Sequence, residues 1–187
     1  LCRDWSSDVC SSDLRKILFL TSDFLPNPDA NGINVNAISR ELILRGYHVT
    51  CLSYKNLGQS DYSLINNIKI HRVKPSFYHR VLTYEKHSSS SLLIITILKI
   101  IKLLRKLKLF FFLFNFPDFD IIQKYRVYFK IRKLMRVDNY DMIIGVNKPF
   151  SNISALIKIK QKFPSIVCIG YYLDLIDSIN RPPLMSP

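Results

Sequence analysis

Lys16-Ile17-Leu18-Phe19-Leu20-Thr21 opens a stretch that runs through Ala30-Asn31-Gly32 to Glu41-Leu42-Ile43-Leu44-Arg45-Gly46-Tyr47-His48-Val49-Thr50. Residues 17–21 form an apolar run with no polar alternation, as expected of a central parallel strand buried on both faces. Residues 22–32 are rich in turn formers: Pro26, Asn27, Pro28, Asp29, Asn31 and Gly32. Ile33, Ala37, Ile38, Leu42 and Leu44 then recur at near-helical spacing. Arg45-Gly46 ends that helix, because Gly tolerates the left-handed backbone of a helix stop. Residues 49–54 read as a second strand. Strand, helix and strand over residues 15–54 make a right-handed crossover unit of a parallel sheet.

Working outward, residues 56–67 read as a polar loop and residues 68–73 alternate like a half-exposed or edge strand. Residues 74–91 are loop-like and end in a serine run. Residues 92–114 are a basic, apolar helix candidate stopped by Pro117. Residues 125–137 predict another basic helix. Residues 141–146 read as a third buried strand, and residues 152–163 as a helix with Lys158, Lys160 and Lys162 on its surface. Residues 166–172 read as a fourth buried strand, and residues 174–187 as loop. No internal repeat is visible. The predicted class is α/β: a Rossmann-like parallel sheet with helices on both faces, ligands lying beyond the carboxyl ends of the strands. Those ends are residues 21–32, 54–55, 147–151 and 173–177.

The first fourteen residues are set apart. Asp4-Trp5-Ser6-Ser7-Asp8-Val9-Cys10-Ser11-Ser12-Asp13-Leu14 resembles one reading frame of a common sequencing-adapter oligonucleotide. Residues 1–14 are therefore expected to be an artefactual, disordered segment, and the chain to be a fragment whose far end is open too. Without Arg3, Asp4, Asp8 and Asp13, 26 Lys and Arg face 11 Asp and Glu, a net charge of +15. Such a balance favours phosphates, nucleic acid or anionic lipid as partners. Eleven basic residues and two acids lie between Lys99 and Arg136. Cys51 and Cys168 sit singly in apolar runs and read as small buried hydrophobes rather than as a disulfide. No secretory signal is visible, since residues 17–20 are too short an apolar stretch and Asp23 follows. The expected location is cytoplasmic, with peripheral attachment to the inner face of the plasma membrane as an extension of the charge.

The first crossover resembles the N-terminal domain of family 4 glycosyltransferases, enzymes of the two-lobed GT-B architecture. The resemblance is carried by the opening strand, the Pro-containing loop ending at Gly32, and the Arg45-Gly46-Tyr47-His48-Val49 turn. Tyr140-Asp141-Met142-Ile143-Ile144 followed by Pro149-Phe150-Ser151, and then Tyr171-Tyr172-Leu173-Asp174, agree with it. It covers nearly all of residues 15–174. The resemblance implies a sugar transferred from a nucleotide-sugar to a glycan or lipid-linked acceptor, with retention at the anomeric carbon, in cell-surface polysaccharide synthesis. It implies that Asn31 and Gly32 face the donor diphosphate or the acceptor across an interdomain cleft. On spacing alone the same pair is a turn and helix cap. A glycine at a helix entry does let backbone N–H groups approach an anion. Asn147, Lys148, Pro149, Phe150 and Ser151 would line the acceptor side. Lys148 reads either as a phosphate ligand or as a solvated lysine, and Asp174 either as a sugar-hydroxyl ligand or as a loop cap.

This chain departs from that pattern in two places. Many members carry a His near the third buried strand, where this chain has Asn147, so no catalytic base is assigned. The acidic Glu-x7-Glu motif of the donor-binding domain is absent, since the only glutamates are Glu41 and Glu85. The donor-binding half is thus expected to be missing and the fragment to be inactive alone. No Gly-x-Gly-x-x-Gly or Gly-Lys-Ser/Thr loop occurs, so independent binding of a dinucleotide or ATP is disfavoured, and no cofactor is expected. His48, His71, His79 and His87 lack metal-ligand spacing.

Residues 92–114 are long enough to span a bilayer, but Lys99, Lys102, Arg105, Lys106 and Lys108 lie inside. Each would cost about 2.5–3.5 kcal/mol at the bilayer centre. Lys99, Lys102 and Lys106, bordered by Arg105, share one helical face opposite Ile100, Leu103, Leu104 and Leu107. Two uses remain open: a basic amphipathic helix on an anionic membrane surface, or a helix packed on the sheet with solvated lysines. No nucleic-acid recognition motif is present. The alternative to the enzyme is a stand-alone Rossmann-like module that docks on membranes without catalysis.

Overall fold

The computed structural model describes residues 15–56, 58–76, 120–147 and 149–172. The expected segment 1–14, the helix candidate at 92–114 with Lys99, Lys102, Arg105 and Lys106, and the site candidates Lys148 and Asp174 lie outside the described residues. Six strands form one sheet: β1 (Lys16–Leu20), β2 (His48–Tyr54), β3 (Tyr62–Ile65), β4 (Ile68–Val73), β5 (Met142–Val146) and β6 (Val167–Tyr171). Among the described residues three helices accompany them: α1 (Ala30–Leu44), α2 (Ile121–Val137) and α3 (Phe150–Lys162). The sheet order is β3-β4-β2-β1-β5-β6. All neighbours run parallel except β3 and β4. The fold is therefore the α/β, Rossmann-like arrangement that the first crossover predicts, with one antiparallel hairpin arm added at its edge.

β1 is central, paired with β2 on one side and β5 on the other. Its side chains alternate between two cores. Leu18 and Leu20 pack with Val127, Ile131 and Leu134 of α2 and with Ala155, Leu156 and Ile159 of α3. Ile17 and Phe19 pack under Val35, Ile38, Leu42 and Ile43 of α1. The split follows from handedness. From β1 to β2 the chain steps one way along the sheet, and from β5 to β6 the other, so right-handed crossovers put α1 and α3 on opposite faces.

Local chemistry sets the element ends. Gly46, at φ +85°, is the left-handed stop of α1. Gly46 N donates to Ile43 O at 2.9 Å and Tyr47 N to Leu42 O at 3.0 Å, the paired bonds of a Schellman closure. Asp120 caps α2 through Gln123 N at 3.0 Å. Ser76, just past β4, donates its N–H to Gln123 Oε1 at 2.8 Å and its hydroxyl to Asp120 Oδ2. Arg126 reaches back to the carbonyls of Lys74 and Pro75. These bonds dock the start of α2 onto the chain leaving β4.

Three expectations change. Residues 62–65 are strand rather than loop. Asn66 and Asn67, at φ 52° and 65°, make a two-residue turn that pairs Ile65 with Ile68, and Asn is among the few residues that accept two positive φ angles in succession. With β3 on the outside, β4 is an inner strand, so of the two readings of its alternation the half-exposed one holds and the edge one does not. β6 is not a buried strand. Among the described residues it pairs with β5 alone, and Val167 and Ile169 are exposed.

Asp138 and His71 set an acid response. Lys16 Nζ lies 3.1 Å from Asp138 Oδ1, and this hydrogen bond holds the Asp138 carboxyl below its usual range. Half-buried His71 is pushed down mainly by desolvation, then by Lys130 and Lys69. A lowered histidine favours the neutral form in the fold, so the unfolded chain takes up the proton first as pH drops. Stability contributed by neutral His71 is complete above about pH 6.5 and declines below it. The Asp138 contribution persists to lower pH and is lost as pH falls through its depressed value. Urea midpoints should therefore drop between about pH 7 and pH 5, and His71→Gln should flatten that drop. An equal drop in the variant would contradict the assignment.

Candidate ligand crevice at the carboxyl edge

The strand order reverses between β1 and β5. From β1 the chain turns to α1 on one face, and from β5 it turns to α3 on the other. In open α/β sheets the crevice between two such connections is the usual ligand position. Both sequence-predicted loops, residues 21–32 and 147–151, arrive there from neighbouring strands.

The β1 loop is tightly bonded. Asp29 caps α1: its Oδ1 accepts from Gly32 N at 2.7 Å, and its Oδ2 accepts from Ser22 Oγ at 2.7 Å. Asn56 Nδ2 donates to Asp23 Oδ1 at 2.9 Å, and Tyr54 N to Ser22 O at 2.8 Å. The Leu25–Pro26 peptide is cis. α1 begins at Ala30, so Asn31 and Gly32 are first-turn residues, and both are buried. Gly32 is glycine for a reason spacing could not supply. A Cβ there would fall 2.2 Å from Asp23 O and 2.9 Å from Pro28 Cβ. Its N–H serves the Asp29 carboxylate, which occupies the anion position at this helix entry.

The β5 loop differs. Pro149 stands at the N-cap of α3 and no side chain caps this helix. Ser151 and Asn152 are buried in its first turn. The hydroxyl of Tyr54, at the carboxyl end of β2, lies 2.9 Å from Ser151 Oγ and 3.5 Å from Asn152 Oδ1. Asn147 N donates to Tyr171 O at 2.9 Å, joining the crevice to β6. Phe150, half-buried, starts the helix.

Tyr54, Thr21, Ser53 and Asn152 escape a linear motif search. Thr21 Oγ1, Ser53 Oγ, Asn147 Oδ1 and Asn152 Nδ2 are buried without a hydrogen-bond partner among the described residues. Each ends a strand or opens α3 at this edge. A buried polar group left unpaired costs about 1–3 kcal/mol, so such groups concentrate where a ligand or solvent completes them. The adjoining Arg72, on the α1 face of β4, is buried. Its guanidinium donates to Ser60 O at 3.1 Å, Ser63 Oγ at 2.9 Å and Leu25 O at 2.9 Å, tying the β1 loop to the hairpin. Burial lowers Arg72 from its ordinary value. Burial likewise pushes the Cys51 thiol far up, against the opposing charge of Arg72. Cys51 and the half-buried Cys168 are free thiols with raised values, the profile of packing residues and not of nucleophiles.

Among the described residues no group of three or more His, Cys, Asp or Glu could hold a metal ion. No helix among them is long and apolar enough to cross a membrane. No family model matches the chain, and no curated protein matches it. Among solved structures it is similar to the C-terminal domain of a hydrogenase from Pyrococcus furiosus, at 14% identity and TM-score 0.44. The match covers 88% of this chain and 97% of that one. That likeness carries no functional argument.

The two ends of the β1 loop separate by mutation. Asp29→Ala should cost about 0.5–2 kcal/mol, the worth of an N-cap. Gly32→Ala should cost about 1–3 kcal/mol, because backbone must move to admit the methyl. Urea denaturation measures both. A Gly32→Ala protein as stable as the parent would contradict the close approach to Asp23.

Proposed function

We propose that this chain is the acceptor-side, N-terminal half of a GT-B, family 4-like glycosyltransferase. The complete enzyme moves a sugar from a nucleotide-sugar to a glycan or lipid-linked acceptor in cell-surface polysaccharide synthesis, at the cytoplasmic face of the membrane. One observation carries the reading. Two of the stretches that carry the sequence resemblance, the loop ending at Gly32 and Pro149 to Ser151, follow adjacent strands where the sheet order reverses. Parallel pairing of β1 with β5 brings these two loops, far apart in sequence, to the same edge of the sheet, where ligands of such sheets lie.

The chemistry available at that edge is polar and neutral. Asn147 offers an amide where members of the resembled family carry His, and suits hydrogen bonding to a sugar hydroxyl rather than proton abstraction. Ser151 and the uncapped first turn of α3 suit an oxygen-rich ligand, because the helix N-terminus favours developing negative charge. Asn31 and Gly32 act in this reading by holding the β1 loop close to α1 at the cleft wall. Lys148 and Asp174 would complete the acceptor side. The Glu-x7-Glu donor motif does not occur in this sequence, and in this reading it would sit in a second lobe.

The test uses the chain alone beside the product of the uninterrupted reading frame from the source locus. The longer product should turn over a nucleotide-sugar with a lipid-linked acceptor, and the 187-residue chain should not. Asn147→Ala or Ser151→Ala in the longer product should lower kcat/KM by about tenfold or more, a loss of one or two transition-state hydrogen bonds. Turnover by the chain alone, or unchanged kcat/KM in both variants, would refute the proposal. A native stop codon directly after Pro187 would favour the membrane-docking module instead.

A further inference from the structure

We propose that the solvent-facing side of α2 and α3 docks on an anionic lipid bilayer. The inference does not depend on the glycosyltransferase reading. It rests on what these two packed helices expose and on the charge they lack.

α2 carries Lys124, Arg126, Lys130, Arg132, Lys133 and Arg136, and α3 carries Lys158, Lys160 and Lys162. Neither helix contains an Asp or Glu. Gln123, Val127, Ile131 and Leu134 turn inward to the sheet. At about 100° per residue, the opposite side of α2 presents Ile122, Tyr125 and Phe129, then Lys133 and Arg136 in the same stripe. Ile122 is 62% exposed, Phe129 58%, and Ile157 of α3 51%. Tyr125 and Phe129 stack at 6.2 Å between ring centroids. Lys158 of α3 joins the two helices into one surface. Its Nζ sits 4.5 Å from the centre of the Tyr125 ring and donates to the Tyr125 hydroxyl at 3.0 Å.

An apolar, aromatic stripe on two helices whose charged residues are all cations fits one class of partner best. The interfacial zone of a bilayer accepts Ile and Phe side chains beside Tyr, while phosphate headgroups meet the surrounding Lys and Arg. Nucleic acid would use the cations and stack on rings, but it offers exposed isoleucines little. The same charge pattern that forbids insertion across a membrane favours lying on one.

The experiment is vesicle sedimentation with the full 187-residue chain. Vesicles are pure phosphatidylcholine or equal parts phosphatidylglycerol and phosphatidylcholine. Lys99, Lys102, Arg105 and Lys106 stay unchanged in every variant, so losses report on α2 and α3 alone. Two variants are compared, Ile122→Ser with Phe129→Ser, and Lys133→Glu with Arg136→Glu. All four positions are partly or fully solvent-facing, and circular dichroism checks that folding survives. The parent should pellet with the anionic vesicles and not with the neutral ones. Either double variant should weaken partitioning by about tenfold or more, the scale expected for two interfacial side chains or two cations. Equal pelleting with neutral vesicles, or parent-like binding by both variants, would overturn the proposal. Displacement from anionic vesicles by a single-stranded RNA at lower concentration than the lipid would overturn it in favour of nucleic acid.

Discussion

The fold depends on the burial of β1 from both sides. Leu18 and Leu20 face one core and Phe19 the other, and none of the three retains meaningful contact with solvent. Such a strand can neither be an edge nor face water. It must have a hydrogen-bonded neighbour on each side and helices above and below. Parallel neighbours joined by right-handed crossovers meet all four demands only if the chain leaves β1 in one direction along the sheet and returns on its other side. The reversal of strand order, and with it the crevice between the β1 and β5 loops, follows from that single packing requirement.

Sequence patterns revealed the parts governed by such local or two-sided rules. Residues 16–54 were legible because an unbroken apolar strand, a turn-rich loop, a periodic helix and the Gly46 stop all point the same way. The parallel strands at 142–146 and 167–171 followed. What escaped was governed by short polar signals or by distant partners. Asn66-Asn67 is a hairpin turn, but it lies among polar residues that resemble loop. Asp29 and Asp120 cap their helices four and five residues before Ile33 and Tyr125, where the apolar pattern becomes visible, so the sequence pattern places both helix starts late. β6 is as apolar as an inner strand, and composition does not show that among the described residues only one side of it is paired.

The candidate site was half legible for similar reasons. Asn31, Gly32 and residues 147–151 could be found from their place after buried strands. The role of Gly32 could not, because Asp23 O approaches it only once the loop has folded back. Tyr54 and Ser151 are 97 residues apart in sequence and meet through the sheet alone. The cations divide likewise. Sequence patterning drew attention to residues 92–114, whereas the described surface joins α2 and α3 through Lys158 and Tyr125. Its aromatic stripe lies on α2, and Lys158 joins it only once α3 packs on the same face.

Native-state amide hydrogen exchange, resolved by residue, addresses the central constraint most directly. Amides of β1 and of the β2 and β5 residues paired with it should exchange only through global unfolding, with one common opening free energy. Those of β3 and β6 should exchange sooner through local opening. Exchange in β1 as fast as in β3 would contradict a sheet organised around a doubly buried central strand.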